Sequence, residues 1–321
     1  MNFASNVMSS AGGEFKVNTS IKIWFACLCL FLLVFTPLKG RAAEALKFRY
    51  ALTLYTDDQG LAIKQPQGVA CTGKSLVVAD TGNNRLLRYT FTEDAGKPQA
   101  QVLKNQAMVY PQKIRLNRQG EILVLDGKLH RLLHLSTQGK FLGFIDPVGM
   151  SPGTQTAIRN FAVDPLGNLY YLDILAKRVL VCNSQGQFRR QIQFPESYGF
   201  FSDLAVDAKE NIFLIDGINA QVFAAKSGAT QFLPYGKKFK DYARFPTAII
   251  LDQQGRIYLA DLNGSKIIVL GRDGSYVGRL SELGWKPGLL DHPSQICLDE
   301  QGDLFIADTS NNRVQKFIQM K

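Results

Sequence analysis

Six aspartates end short apolar runs and recur at intervals of 46, 47, 43, 45 and 47 residues. Five residues after each stands an arginine or a lysine, except after Asp216, where Gln221 takes that position. A carboxylate at a strand end can accept turn amides, and a cation on the returning strand can pair with it. The predicted structural braces are Asp80 with Arg85, Asp126 with Arg131, Asp173 with Arg178, Asp261 with Lys266, and Asp308 with Arg313.

Residues that could carry catalysis are few. The three histidines, His130, His134 and His292, lie in two sequence-distant repeats, and a zinc site needs several ligands that converge. Nucleophile elbows, phosphate loops and Cys-x-x-Cys pairs are missing from the sequence. We predict no catalytic residue, no metal ligand set and no cofactor. A calcium site made of oxygen ligands stays open, with Asp203 as its one carboxylate.

The elements that position these residues are short strands. Apolar runs of four to six residues, such as SLVVAD and DLFIAD, are bounded by Gly, Asp and Asn and are too short for helices. The runs are apolar on both alternating sides, which is typical of sheets buried between two other sheets. A spacing of roughly 40–50 residues fits one four-stranded propeller blade. Six copies therefore predict an all-β, six-bladed β-propeller.

The final copy carries a family resemblance. Residues 292–317 read HPSQICLDEQGDLFIADTSNNRVQKF and closely resemble the NHL repeat, and the Asn-Asn-Arg turn recurs at residues 83–85. The resemblance implies the same six-bladed propeller. Related propellers include gluconolactonase-like hydrolases and the peptidylglycine amidating lyase, which use a metal held by channel-facing residues. It therefore also implies an alternative function, a metal-dependent lactonase-like or lyase-like enzyme with its site in the central channel.

Residues 46–55, LKFRYALTLY, have strand composition but precede the first full repeat, while the last repeat stops after its third strand. We predict that this segment completes the last blade. Closure of the ring in this way would leave no sheet edge unpaired.

The predicted binding residues surround the mouth of the channel. In a meandering blade, the turns between second and third strands share a face with the connections between blades. The positions just before each first strand are nearly all polar and differ from repeat to repeat, which suits recognition, although they would also suit simple contact with channel water. These candidates are Gln67, Gln112, Lys113, Arg159, Asn160, Asp203, Thr247 and Gln295.

Residues 1–43 differ in kind from the rest. Lys16 and Lys22 precede an apolar run at residues 23–35, followed by small residues, which predicts a secretory signal peptide or an uncleaved N-terminal anchor. The propeller then spans residues 44–321, and the protein is exported to the periplasm or the extracellular space. We expect contact with a membrane only through an uncleaved leader. The net charge of +10 is modest for the length, and with export it argues against a nucleic-acid partner.

Beyond the leader the sequence has three cysteines, Cys71, Cys182 and Cys297, an odd number that does not describe a disulfide framework. Cys71 and Cys297 lie on first strands of the blades that meet at ring closure. Alignment of the repeats matches Cys297 with Ala70, however, so the two side chains should point to opposite faces of their sheets. We predict buried free thiols.

Taken together, these features favour a non-catalytic binding scaffold of the cell envelope. The predicted partner is a protein or an extracellular polymer such as a polysaccharide, recognised through the channel-mouth face. Aromatic residues in the connections between blades, Phe200 and Trp285 among them, are of the type that anchors interfaces.

Overall fold

The computed structural model describes residues 47–91 and 98–320. Within them, 24 strands form six four-stranded antiparallel sheets, and the one helical element is a 3-10 turn at Thr81–Asn83. This arrangement confirms the predicted all-β, six-bladed propeller. No helix in the described ranges is long and apolar enough to cross a membrane. The predicted leader at residues 1–43, and the propeller boundary at residue 44, lie outside these ranges.

Each of the first five blades uses four consecutive strands. Blade 1 contains β2 (Gly68–Cys71), β3 (Ser75–Asp80), β4 (Arg85–Thr90) and β5 (Gln99–Leu103), and blade 2 contains β6 (Pro111–Leu116), β7 (Ile122–Asp126), β8 (Arg131–Leu135) and β9 (Phe141–Phe144). Blade 3 contains β10 (Ile158–Val163), β11 (Leu169–Asp173), β12 (Arg178–Cys182) and β13 (Phe188–Gln193). Blade 4 contains β14 (Phe201–Val206), β15 (Ile212–Asp216), β16 (Gln221–Ala225) and β17 (Leu233–Tyr235). Blade 5 contains β18 (Pro246–Leu251), β19 (Ile257–Asp261), β20 (Lys266–Leu270) and β21 (Tyr276–Leu280).

Blade 6 joins the two ends of the chain. It contains β22 (Pro293–Leu298), β23 (Leu304–Asp308) and β24 (Arg313–Gln319), and its outer strand is β1 (Phe48–Leu54). β1 runs antiparallel to β24, from Phe48 opposite Gln319 to Leu54 opposite Val314. The predicted closure by the N-terminal segment is therefore confirmed.

The core lies between blades rather than inside any one of them. Every residue of the second strands β7, β11, β15, β19 and β23 is buried. One apolar cluster, for example, joins Leu172 of blade 3 to Leu214 of blade 4. Each sheet covers both neighbours, which explains why the strands are apolar on both sides.

A disulfide between Cys71 and Cys297 links blade 1 to blade 6, with Cα atoms 6.0 Å apart. The prediction of two free thiols was wrong, although the two side chains do point to opposite faces of their own sheets. Neighbouring blades in a ring touch through opposite faces, so such side chains are the ones that meet. Both cysteines pack into the cluster between these two blades. Cys182 is buried and free in the part of the chain described here.

Candidate functional site

The strand-ending aspartates fasten the connections between blades. All six are fully buried. Each accepts a hydrogen bond from a backbone N–H that lies 16 or 17 residues earlier, in the connection entering its own blade; the donors are Lys64, Tyr110, Ala157, Phe200, Phe245 and Asp291. Sequence reasoning anticipated the turn amides but missed this second set of bonds. Hydrogen bonds to buried carboxylates therefore hold the loops of the channel-mouth face in place.

Four of the predicted basic partners approach their aspartates. Arg85 Nε lies 2.6 Å from Asp80, Arg178 Nε 2.9 Å from Asp173, Arg313 Nε 2.6 Å from Asp308, and Lys266 Nζ 3.8 Å from Asp261. The same contact therefore recurs in blades 1, 3, 5 and 6.

The predicted brace between Asp126 and Arg131 is not formed. Arg131 instead donates to Asp146 at 2.7 Å and stacks on Phe144, with its guanidinium 3.6 Å from the ring centre. The carboxylate of Asp126 accepts four backbone amides, from Val109, Tyr110, Lys128 and Leu129. Its hydrogen-bonding capacity is filled without the arginine.

The predicted binding residues, apart from Gln67, lie within the first strands rather than just before them, because each first strand begins at the residue that pairs with the strand-ending aspartate in blades 2 to 6. The two residues that follow this position in each blade form two rings. We call the first the mouth ring; it consists of Gln67, Gln112, Arg159, Ser202, Thr247 and Ser294. We call the second the channel ring; it consists of Gly68, Lys113, Asn160, Asp203, Ala248 and Gln295. In blade 2 the strand register shifts between Pro111 and Lys113, at the mouth-ring residue Gln112, and comparable shifts occur in blades 3 to 6.

Channel-ring side chains bond to other blades across the channel. Gln295 of blade 6 donates to the carbonyl of Ile114 in blade 2 at 2.9 Å and accepts its N–H at 3.3 Å. It passes over Gly68 of blade 1, where an added Cβ would lie 3.1 Å from the Gln295 Oε1. Lys113 Nζ donates to the carbonyl of Ser294 at 3.0 Å. These contacts close one side of the channel.

Asp203 and Asn160 are likewise engaged by protein. Asp203 is buried and accepts the N–H groups of Leu204 and Ile249 at 2.8 and 2.9 Å. Arg115 of blade 2 approaches it at 3.5 Å. Burial raises the pKa of Asp203, against the opposing effect of the cations Arg115 and Lys113. Asn160 Nδ2 donates to the carbonyl of Ser202 at 3.3 Å.

This donor set does not fit the channel metal that the family resemblance implies for an enzyme, nor the calcium ion that the sequence left open. Both oxygens of Asp203 already accept backbone amides. Residues 47–91 and 98–320 contain no group of three or more His, Cys, Asp or Glu side chains placed to hold a metal ion. His134 pairs with Glu121 at 2.8 Å and His292 with Asp291 at 2.5 Å, each within its own part of the ring.

The opposite side of the channel opens into a cleft of about 470 Å³, which we call the mouth cleft. Its lining spans blades 2 to 5 and includes Gln112, Lys113, Arg159 and Thr247. Half of the eight predicted binding residues therefore meet in one cleft. Asn160, Asp203 and Gln295 are used by the channel contacts, and Gln67 donates to Tyr110 Oη at 3.0 Å.

Arg159 is the most accessible charge in this cleft. Its guanidinium lies 4.4 Å from the ring centre of Phe200, which in turn stacks on Phe245 at 5.9 Å. In the described ranges no carboxylate pairs with it. Burial lowers the pKa of Lys113 to about 8, so this amine is still largely protonated at neutral pH. Thr247 Oγ1 is buried with no hydrogen-bond partner in the described protein. Asp126 is the one carboxylate in the lining and its oxygens accept four backbone amides, so Lys113 and Arg159 leave the mouth cleft net positive.

Comparison with known proteins identifies the repeat and the fold. Residues 290–317 match the family model of the NHL repeat. Comparison with curated proteins gave no match.

Solved structures with a similar fold include enzymes and a binding complex. A gluconolactonase from Xanthomonas campestris is 15% identical, with a TM-score of 0.63 over 86% of this chain and 95% of the other. A streptogramin B lyase is 11% identical, with a TM-score of 0.59 over 87% and 100%. A chain of a nidogen/laminin complex is 17% identical, with a TM-score of 0.56 over 68% and 81%. At these identities the likeness shows the fold alone. The protein is a six-bladed β-propeller that carries an NHL repeat.

Proposed function

We propose that this protein is a non-catalytic binding scaffold of the cell envelope that recognises a protein or an extracellular polymer through its channel-mouth face. The observation that carries the proposal is the mouth cleft, whose lining differs from blade to blade while the strand-ending aspartates repeat around the ring. Residues that differ between blades, on a backbone that repeats around the ring, suit recognition of one ligand. The likeness to a chain of the nidogen/laminin complex is consistent with such a role.

Two features support the proposed location in the envelope. The apolar segment at residues 23–35 has the length and flanks of a secretory signal or an N-terminal anchor. The Cys71–Cys297 disulfide supports the same proposal, since disulfides persist in oxidising compartments outside the cytosol.

The second candidate is a metal-dependent lactonase-like or lyase-like enzyme. The structural likeness to a gluconolactonase and a streptogramin B lyase favours it. The residues around the channel weigh against it, because Asp203 is held by backbone amides and by Arg115.

Partner capture from an envelope fraction, with two charge-reversal variants, tests the proposal. Arg159→Glu should abolish capture of a partner that wild-type protein retains. The matched control is Arg118→Glu, because Arg118 is also exposed but lies on the turn between β6 and β7, at the opposite face. Capture unaffected by Arg159→Glu would contradict the proposal. So would stoichiometric divalent metal in purified protein together with lactone hydrolysis that depends on it.

A further inference from the structure

The turns between second and third strands divide the ring into two halves. In blades 2, 3 and 4 these turns expose large apolar side chains: Leu129 is 38% exposed, Ile174 36%, Leu175 56% and Ile218 57%. In blades 1, 5 and 6 the turns are residues 81–84, 262–265 and 309–312, which are rich in Asn, Gly, Ser and Thr and contain one large apolar residue, the half-buried Leu262. Among the described residues, none in these three turns is an exposed large hydrophobic.

The apolar turns adjoin the mouth cleft. Ile174 lines the cleft directly, as does His130 beside Leu129. Ile218 packs against the connection into blade 4, since a Cβ added to Gly199 would lie 2.7 Å from the Ile218 Cβ. The next residue, Phe200, lines the cleft and stacks on Arg159. We call the cleft and these four apolar side chains the apolar-turn sector.

Positive charge lies at the centre and along one side of this sector. Arg159 and Lys113 are in the cleft. Lys237, Lys238 and Lys240 are exposed on the connection between blades 4 and 5, where Asp241 offsets one of them. Exposed apolar patches bordered by polar residues mark protein interaction sites, and arginine is enriched at such sites.

We propose that the apolar-turn sector docks a protein segment in which an acidic side chain or a C-terminal carboxylate is flanked by apolar residues. The carboxylate binds the guanidinium of Arg159, which offers a planar pair of donors. The flanking residues cover Ile174, Leu175 and Ile218. An acidic polysaccharide would match the charges but leave these side chains in contact with water. The inference rests on the proposed function and names the class of partner.

A peptide-display selection on the purified propeller tests this, with counter-selection against an Arg159→Gln/Ile218→Asn double variant. We expect enriched peptides to carry Asp, Glu or a free C-terminus next to Leu, Ile, Val or Phe. A labelled synthetic peptide then gives dissociation constants by fluorescence polarisation. Arg159→Gln and Ile218→Asn should each weaken binding by about tenfold, the effect of one strong interface contact.

Two matched controls lie on the opposite face. Arg118→Gln removes an exposed arginine, and Leu166→Asn removes an apolar side chain that is 73% exposed. Both should leave the dissociation constant within about twofold of wild type, as surface changes outside an interface do. Replacing the peptide's acid with its amide should weaken binding to wild type but not to Arg159→Gln, because the two changes remove the same contact.

Several outcomes would overturn the inference. The first is a selection that enriches no peptide on wild type over the double variant. The second is an acid-to-amide effect on peptide binding that persists in Arg159→Gln. The third is binding of polygalacturonate that requires Arg159 but not Ile218. Self-association through this sector would also overturn it. If envelope-partner capture is still lost in Arg159→Glu under any of these outcomes, the scaffold function stands and only the partner class is wrong.

Discussion

Replacing Arg313 with alanine should lower the free energy of unfolding far more than replacing Arg131, although both residues stand five positions after a strand-ending aspartate. The Arg313 side chain is 2% exposed and pairs with Asp308 at 2.6 Å. Its other nitrogens donate to Tyr55 Oη at 3.2 Å and to the carbonyls of Trp285, Lys286 and Leu289 at 2.7, 3.0 and 2.8 Å. Arg131 is 46% exposed and pairs with Asp146 near the surface.

The magnitude follows from what each substitution leaves behind. Burial already raises the pKa of Asp308, and without Arg313 its charge would be left buried and unpaired, which costs about 3–5 kcal/mol. The three carbonyls also lose their donor, so we expect the upper part of that range. Loss of an exposed pair costs about 0–1 kcal/mol, which sets the expectation for Arg131→Ala.

Urea unfolding followed by far-UV circular dichroism measures both losses. A third variant, Asp308→Asn/Arg313→Met, removes both charges and should recover part of the loss, since an uncompensated carboxylate causes most of it. Equal losses for the two arginines, or a loss below about 1 kcal/mol for Arg313→Ala, would refute the reasoning.

Three further predictions concern ring closure and the cleft. Replacing Cys71 and Cys297 with serine should cost about 2–4 kcal/mol, the usual range for a lost disulfide, because the bridge closes a long loop with a sequence separation of 226 residues; equal melting temperatures would contradict this. Deleting residues 46–55 removes β1 and exposes an edge on β24, so the melting temperature should fall and aggregation increase, and unchanged melting would count against the closure. Lys113→Met should change how stability depends on pH, because burial lowers the pKa of Lys113 to about 8, below the unfolded value of about 10.4. Between those two pH values the unfolded wild-type chain binds more protons, so wild type should gain stability relative to Lys113→Met as the pH rises; the same pH dependence in both proteins would contradict this.

The sequence periodicity predicted the six-bladed fold because each blade repeats the same pattern of strands and turns. The aspartates at 43 to 47 residue intervals placed the second strands, and the unmatched segment at residues 46–55 indicated the closing strand. Half of the predicted binding residues reached the mouth cleft, since first strands start at equivalent places in every blade.

The remaining features depend on contacts between blades, which a single repeat does not contain. Cys71 and Cys297 meet because adjacent sheets in the ring contact each other through opposite faces. The sequence of a single repeat does not contain this information. Arg115 reaches Asp203 from blade 2, on a first strand whose register shifts between Pro111 and Lys113. A change of register redirects the side chains that follow it.

One signal for the candidate site was in the sequence but went unused. Leu129 stands where the NHL-like turns hold Asn83 and Asn311, and Leu175 and Ile218 stand where those turns hold Gly82 and Ser310. Read together, they would have indicated which half of the ring carries the apolar-turn sector.

Site-specific photo-crosslinking in intact cells gives the most direct test that this half of the channel-mouth face binds a partner. A photoreactive residue at position 218 should form one discrete protein adduct that disappears when Arg159→Gln is added, while the same residue at position 166, on the opposite face, should form none. Equal adducts at the two positions, or an adduct at position 218 that persists without Arg159, would contradict the account.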